Sequence, residues 1–527
     1  METLDDLFLR LEQLNEIGAS LSSERNLNLL LEKILLAAKT ITRADGGTLY
    51  LLSEDRQHLH FEIVRTNSLG IAFGGSSGQP TSGNFPDLAL YRSDGTPNDS
   101  MVAAYAAITG RTVNIADAYT AEGFDFSGTR KFDERTGYRS QSFLTVPMKN
   151  HEGEIIGVLQ LINALDPQRR VVEFSQADQR LAESLASQAA IALTNRQLVQ
   201  QLETLFEAFI KLINLAIDEK SPYTGGHCQR VPELTMMLAE AAEATSEGPL
   251  ADFKLTDSER YELRIAALLH DCGKVTTPVH IVDKATKLQT IYDRINLIDT
   301  RFEVIKRDAE VRKWRSIATG VDEKEAQRIY QDFCQQCDVD RSVLREANIG
   351  SENMSDEEIE RVKSIGAGYR WRNVEGDEAP FLTNDELENL TIRSGTLTQP
   401  EREIINHHIV ATIRMLEQLP WPKHLKNVPE YAGGHHERMD GTGYPKGLKR
   451  DQMSWQARMM GIADVFEALT AKDRPYKEGM KLSEALGVLE SLKSNGHIDP
   501  ELYQLFIRRE IFRKYSKIFL GVQQVDC

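Results

Sequence analysis

Ile265-Ala266-Ala267-Leu268-Leu269-His270-Asp271-Cys272-Gly273-Lys274 is the stretch that decides how the C-terminal half of this chain is built. Its apolar run reads as a buried helix, and it closes on an imidazole and a carboxylate. Such groups are costly to bury unless they are paired or held by a cation. A lone His-Asp pair would be read as a satisfied core pair, so the weight rests on whether other segments repeat the pattern.

They do. Asp464 stands in Gly461-Ile462-Ala463-Asp464-Val465-Phe466-Glu467-Ala468-Leu469, a helix otherwise apolar around it, and needs a buried partner in the same way. In the helix expected over Glu401 to Leu419, His408 has Ile404, Ile405, Ala411 and Thr412 one turn away, whereas His407 sits over Glu403. Periodicity therefore turns His408 inward and His407 to the surface. His227 opens a helix after Tyr223-Thr224-Gly225-Gly226. His435-His436 stand at the head of His435-His436-Glu437-Arg438-Met439-Asp440-Gly441-Thr442-Gly443-Tyr444-Pro445, whose Asp-Gly and Tyr-Pro steps bend the backbone so that both rings face one place.

Of the twelve histidines, nine lie from His227 onward. Five histidines and two aspartates have settings that call for a metal: His227, His270, Asp271, His408, His435, His436 and Asp464. One divalent ion takes about four to six ligands, so seven donors imply two ions, with Asp271 as the natural bridge. Imidazole and carboxylate donors suit iron or manganese, with zinc as an alternative, and the lack of thiolates argues against a closed structural zinc site. Two ions about 3.5 to 4 Å apart would activate a water and clamp a phosphoryl group.

A length of 527 residues allows two or three domains. The net charge of -17 argues against binding a nucleic acid polymer, which relies on Lys and Arg to neutralise phosphates. The longest apolar runs fall well short of the roughly 20 residues of a membrane span, and the start lacks a secretory signal, so a cytoplasmic protein is expected. Five cysteines make no disulfide framework, and Cys334-Gln335-Gln336-Cys337 is read as two half-buried thiols.

Residues 1–24 carry apolar positions at helical spacing, and a second amphipathic run follows from Leu27 to Ile41. Gly47 to Leu52, Leu59 to Val64, Phe143 to Met148 and Ile155 to Ile162 read as strands, with Asn150-His151-Glu152-Gly153 as a hairpin turn. Gly70 to Ser100 reads as a long loop. Arg135-Thr136-Gly137-Tyr138 leading to Val146-Pro147, then Gly157-Val158-Leu159-Gln160-Leu161-Ile162-Asn163, give residues 25–198 a resemblance to a GAF domain. The likeness is to the GAF domains of cyclic nucleotide phosphodiesterases, which implies a small-molecule or cyclic nucleotide ligand. Asn163, Phe174 and Asp178 fit their signature, while Ala164 and Gln179 depart from it. From residue 177 to 220 there is no Pro or Gly, and apolar residues recur at spacings of three and four, which predicts one linking helix and a homodimer seam.

Residues 200–527 resemble an HD-GYP domain, a branch of the HD phosphohydrolases. The likeness is carried by Tyr223-Thr224 and His227, His270-Asp271-Cys272-Gly273-Lys274, Leu397-Thr398 to His408, the His435 to Pro445 stretch, Arg458, Ala463-Asp464-Val465 and Asp473-Arg474-Pro475-Tyr476-Lys477. The resemblance implies hydrolysis of cyclic di-GMP to pGpG or GMP by in-line attack on phosphorus. Lys274 would act with Asp271 at the reacting phosphate, and Arg474, Lys477 and Tyr444 would meet the substrate. Another cyclic dinucleotide, or a silent signalling adaptor, are the alternative readings. Tyr223 replaces the Glu of three-metal members, Ile409 a Pro and Thr412 a Gly. About 288–394 is an insertion whose stripe Leu288, Ile291, Tyr292, Ile295, Ile298, Phe302 and Ile305 predicts a helical subdomain that caps the site, meets the N-terminal module or is a passive decoration. The expected architecture is multidomain: an α+β GAF domain joined by a long helix to an all-α HD-type domain.

Overall fold

The computed structural model describes residues 4–24, 26–220, 226–351, 353–472 and 479–527. It divides into two compact units, Met1–Phe206 and Glu207–Cys527. In the first, helices α1 (Leu4–Ser23) and α2 (Leu27–Thr42) precede an antiparallel sheet of eight strands. These are β1 (Ala44–Leu52), β2 (His58–Thr66), β3 (Ile71–Phe73), β4 (Leu88–Ala89), β5 (Val113–Ile115), β6 (Phe143–Lys149), β7 (Ile155–Leu165) and β8 (Val171–Val172). The order is β3-β2-β1-β7-β6-β5, with β4 on β2 and β8 on β7.

Alternation along β1 sorts its side chains between two cores. Leu49 joins Leu35, Leu159 and Leu185 beneath the terminal helices. Tyr50 turns to the other face, against Ala103, Ala104 and Ala107 of α3 (Val102–Thr109), while α4 (Ser127–Thr136) follows β5 in sequence. The expected loop from Gly70 to Ser100 is only partly a loop, because β3 and β4 both pair with β2 and Phe85 stacks on Phe61. Strands of two or three residues have no periodicity of their own to read. Two of the signature residues have structural partners: Asn163 accepts from Gln141 N at 2.7 Å, and Asp178 accepts from Ser175 N and pairs with Arg10.

Helix α5 (Gln176–Lys220) runs for 45 residues without a break. The second unit continues with α6 (His227–Glu243), α7 (Asp257–Leu269) and the short α8 (Val279–Val282). A segment with its own core follows: α9 (Ile295–Ala318), α10 (Glu323–Asn348), α11 (Asp356–Gly368), the hairpin β9 (Arg370–Arg372) and β10 (Glu378–Pro380), and α12 (Asn384–Leu390). Ile298, Phe302, Leu344, Val362 and Phe381 fill it. The stripe read from Leu288 needs correction at its start. Helix α9 begins only at Ile295, whose N–H Asp293 caps, and Ile291 and Tyr292 are exposed. Cys337 is wholly buried in this core rather than half-buried, and burial pushes its thiol up to about 11; Cys334 is half-buried.

The chain leaves for this segment and returns from it at one place. Thr396 Oγ1 donates to Lys284 O at 2.9 Å, and the buried Lys284 ammonium bonds Asn389 and Glu401. Helices α13 (Gln399–Glu417), α14 (Val428–Gly433), α15 (Trp455–Thr470), α16 (Leu482–Ser494), α17 (Pro500–Arg508) and α18 (Ile511–Phe519) complete the unit.

Candidate metal centre

Each of the seven expected donors is delivered by the end or inward face of a helix. His227 is the first residue of α6, His270 caps the end of α7, and Asp271 opens the 3-10 turn Cys272–Thr276. His408 is buried on α13 while His407 is exposed, His435 and His436 follow α14, and Asp464 lies on α15. The 3-10 turn sits hard against α13. A Cβ on Gly273 would stand 2.0 Å from His408 O and 2.5 Å from Thr412 N, so only glycine fits. Gly273 N–H donates to Thr412 Oγ1 at 2.9 Å, which gives the Thr at that position a structural role.

The donor atoms form two groups that share Asp271: His227, His270 and Asp271 in one, and Asp271, His408, His435 and His436 in the other, all within 4.8 Å in each group. Asp271 Oδ2 lies 3.1 Å from His227 Nε2 and 3.3 Å from His270 Nε2, while its Oδ1 lies 3.3 Å from His408 Nε2. One carboxylate oxygen faces each group. Asp464 Oδ1 lies 3.2 Å from His227 Nε2 and 3.8 Å from His270 Nε2, which places it with the first.

The tautomers follow from the second nitrogens. Nδ1–H of His270, His408 and His435 donates to the carbonyl three residues back, Ala267, Ile405 and Ala432, at 2.7, 2.6 and 2.6 Å. Each Nε2 of a neutral ring therefore aims a lone pair into the centre. Nε2 of His227 and His270 lie 3.2 Å apart, and Asp271 Oδ1 and His435 Nε2 are buried without hydrogen-bond partners. Converging lone pairs and orphaned buried acceptors are what a cation satisfies, and hard oxygen with imidazole nitrogen is a donor set for divalent transition metals.

Electrostatics splits the rings. Burial, then the His270 charge, lowers His435 to about 4, and burial with His435 holds His436 well below the usual range. Burial opposes charge on His270 too, but Asp271 outweighs it and raises that imidazole to about 9. At His227 burial is outweighed by Glu467, Asp271 and Asp464, so its affinity for a proton lies well above the usual range. Lys274 Nζ sits 2.5 Å from Asp271 Oδ2, and despite burial Asp271 and Asp464 raise it. Tyr444 stacks on His436 with ring centroids 4.9 Å apart, and burial pushes its phenol up to about 12. Arg474 and Lys477, and Tyr223 with Thr224, lie outside the described residues.

Three carboxylates with roles here were not singled out from sequence. Glu467 pairs with His227 Nδ1 and accepts from Arg230 Nε at 2.7 Å; its place three residues after Asp464, on the same helical face, was the signal available. Glu437 is buried inside the loop and accepts from Lys446 N and Leu448 N at 2.7 and 2.8 Å, fixing the turn that carries Tyr444. Asp499, fully buried, accepts from Arg450 and Arg458 and ties that loop to α15 and α17.

Comparison with known proteins divides the chain into a GAF part and an HD part. Residues 26–193 match the GAF domain, and residues 224–330 and 384–502 match two models of the HD domain. Among curated relatives, a cyclic di-GMP phosphodiesterase of Pseudomonas aeruginosa is 40% identical over 22% of this chain and 27% of its own length. The 3'3'-cGAMP-specific phosphodiesterase 1 of Vibrio cholerae is 33% identical over 26% of this chain and 32% of its own. A cyclic di-GMP phosphodiesterase of Thermotoga maritima is 35% identical over 23% and 33%. The matched part spans about a third or less of each of these relatives. Among the described residues no helix is long and apolar enough to cross a membrane.

Proposed function

We propose that this protein, a GAF domain followed by an HD domain, is a metal-dependent phosphodiesterase of the HD-GYP type that hydrolyses cyclic di-GMP to pGpG or GMP. The observation that carries the reading is Asp271, whose two oxygens face two separate clusters of imidazoles. His227, His270, Asp271 and Asp464 would hold one divalent ion, and Asp271, His408, His435 and His436 the other, iron or manganese before zinc. Bound there, the ions supply an activated water and charge neutralisation at phosphorus.

The chain's own residues do the rest. Lys274 keeps its proton beside Asp271, where it can donate to the leaving oxygen or hold a phosphate oxygen. Tyr444, fixed by Glu437, offers a ring beside His436 against which a base can stack. Arg474 and Lys477 are assigned to the phosphates on the resemblance alone. The GAF domain is the regulatory module in this reading, with a small molecule or cyclic nucleotide as its ligand, and the cytoplasm is the site of action. A homodimer belongs to the same proposal: Leu198, Leu202, Leu205, Phe209 and Leu212 on α5 are exposed at alternating spacings of four and three, the pattern of a seam for a second copy of the helix.

A mixed cyclic dinucleotide is the second reading, favoured by the likeness to the Vibrio cholerae enzyme. The deciding experiment incubates the full chain, reconstituted with iron or manganese, with cyclic di-GMP and with 3'3'-cGAMP, beside Asp271→Ala, and resolves the products by chromatography. Turnover of neither substrate at about two metals per chain would leave the adaptor reading standing instead.

A further inference from the structure

The C-terminal third of α5 carries a face that the catalytic reading does not use. Ile210, Asn214 and Ile217, spaced four and three apart, are buried, while Phe209 and Leu212 beside them are exposed. An Asn in a buried helical stripe is costly unless it is bonded. Asn214 Nδ2 donates to Leu268 O at 3.0 Å, a carbonyl in the last turn of α7, two residues before His270. Such carbonyls lack partners within their own helix.

The last residue of α5 repeats the contact beyond the ligands. Lys220 Nζ donates to Lys274 O at 3.2 Å and to Val275 O, at the C-terminal end of the 3-10 turn. A cation there also meets the negative end of the turn's aligned peptides. Two side chains of one helix thus grip the segment Leu268 to Val275 on both sides of His270, Asp271 and Lys274. The other side of that segment is fixed by Gly273 against α13.

We infer that Asn214 and Lys220 are positioning residues: by holding the Leu268, Lys274 and Val275 carbonyls they set where Asp271 and the Lys274 ammonium stand, and they make the end of α5 the point at which its movement reaches the centre. The part concerning catalysis rests on the phosphodiesterase reading above; the mechanical part does not. Because Asn214 and Lys220 stand on one unbroken helix, a rotation or shift of that part of α5 displaces both donors together.

The test uses the full chain carrying Asn214→Leu and Lys220→Met together, with Lys220→Arg as the conservative variant and Lys211→Met, an exposed lysine of the same helix, as control. Hydrogen exchange of the amides of residues 270–276 is expected to quicken about tenfold in the double variant while the rest of the unit is unchanged. Metal content stays at the wild-type level, kcat falls about tenfold at constant KM, and Lys220→Arg alone stays near wild type. Unchanged exchange at 270–276, or exchange raised equally throughout the unit, overturns the inference. If the wild type turns over no cyclic dinucleotide, the phosphodiesterase reading fails, and the exchange comparison still decides this one.

Discussion

Nε2 of His408 lies 3.1 Å from Nε2 of His436, although His408 has already committed its Nδ1–H to Ile405 O. With the outer ring's proton affinity depressed by burial and His435, the gap calls for a cation. His436→Ala should therefore lower metal content from about two ions per chain to about one, because the group around His227 does not include it. Asp271→Ala should lose both. Elemental analysis after gel filtration measures this, and equal losses in the two variants would refute the division into two groups.

Metal-free protein should be most stable near pH 6.5, the ordinary histidine value. His270, raised to about 9, gives stability that is complete below pH 6.5 and is lost as pH rises through 9. His227 acts in the same direction. His435, lowered to about 4, works the other way: its neutral burial stabilises above pH 6.5 and that contribution is lost as pH falls through 4. Each of the two shifts is worth on the order of 3 kcal/mol. Melting of chelated protein across pH 4 to 9 (a range spanning the histidine reference value) should trace a maximum, whereas a monotonic curve would contradict the assignment. With metal present the imidazoles must be neutral, so resistance to a chelator should grow as pH rises toward about 9.

Glu467 is predicted to govern the ring it orients. Glu467→Gln keeps the shape but weakens the pairing with both His227 and Arg230, and should cost about 10- to 100-fold in metal affinity, the usual price of an outer partner. Glu467→Ala should additionally destabilise the fold by about 3 kcal/mol by removing a buried carboxylate that pairs with both His227 and Arg230. Chelator competition and urea denaturation separate the two effects.

Packing at Gly273 should be less forgiving than its hydrogen bond. Gly273→Ala drives a methyl group into the α13 backbone and should cost about 3 kcal/mol or more, with loss of metal from the His408 side. Thr412→Val removes the acceptor for Gly273 N–H and the hydroxyl that bonds Cys272, without a steric clash, and should cost about 1 to 3 kcal/mol. If the Ala variant proves the milder, the close approach is not what fixes this contact.

Four of the seven converging side chains, His270, Asp271, His408 and Asp464, were legible because each breaks a local rule, a charged or imidazole group in an apolar helical setting, while His227, His435 and His436 stood out by their bent, glycine-flanked surroundings. Their outward-facing neighbours were legible too, as His407 shows. Glu467 and Asp499 were not, because their partners are remote in sequence: Arg230 is 237 residues from Glu467, and Asp499 meets Arg458 and Arg450 at separations of 41 and 49. Glu437 was not because its partners are backbone N–H groups, which every residue carries. A carboxylate with a distant cation looks like a solvated charge until the chain is folded. The start of α9 was misplaced for a related reason. Ile291 and Tyr292 continue the apolar spacing, but Asp293 caps the helix after them.

Lys284 and Thr396 touch, so the 111 residues between them begin and end side by side. A length of chain pinned at its base and cored on its own adds little closure entropy to the host, whose folding is nearly indifferent to what is strung there.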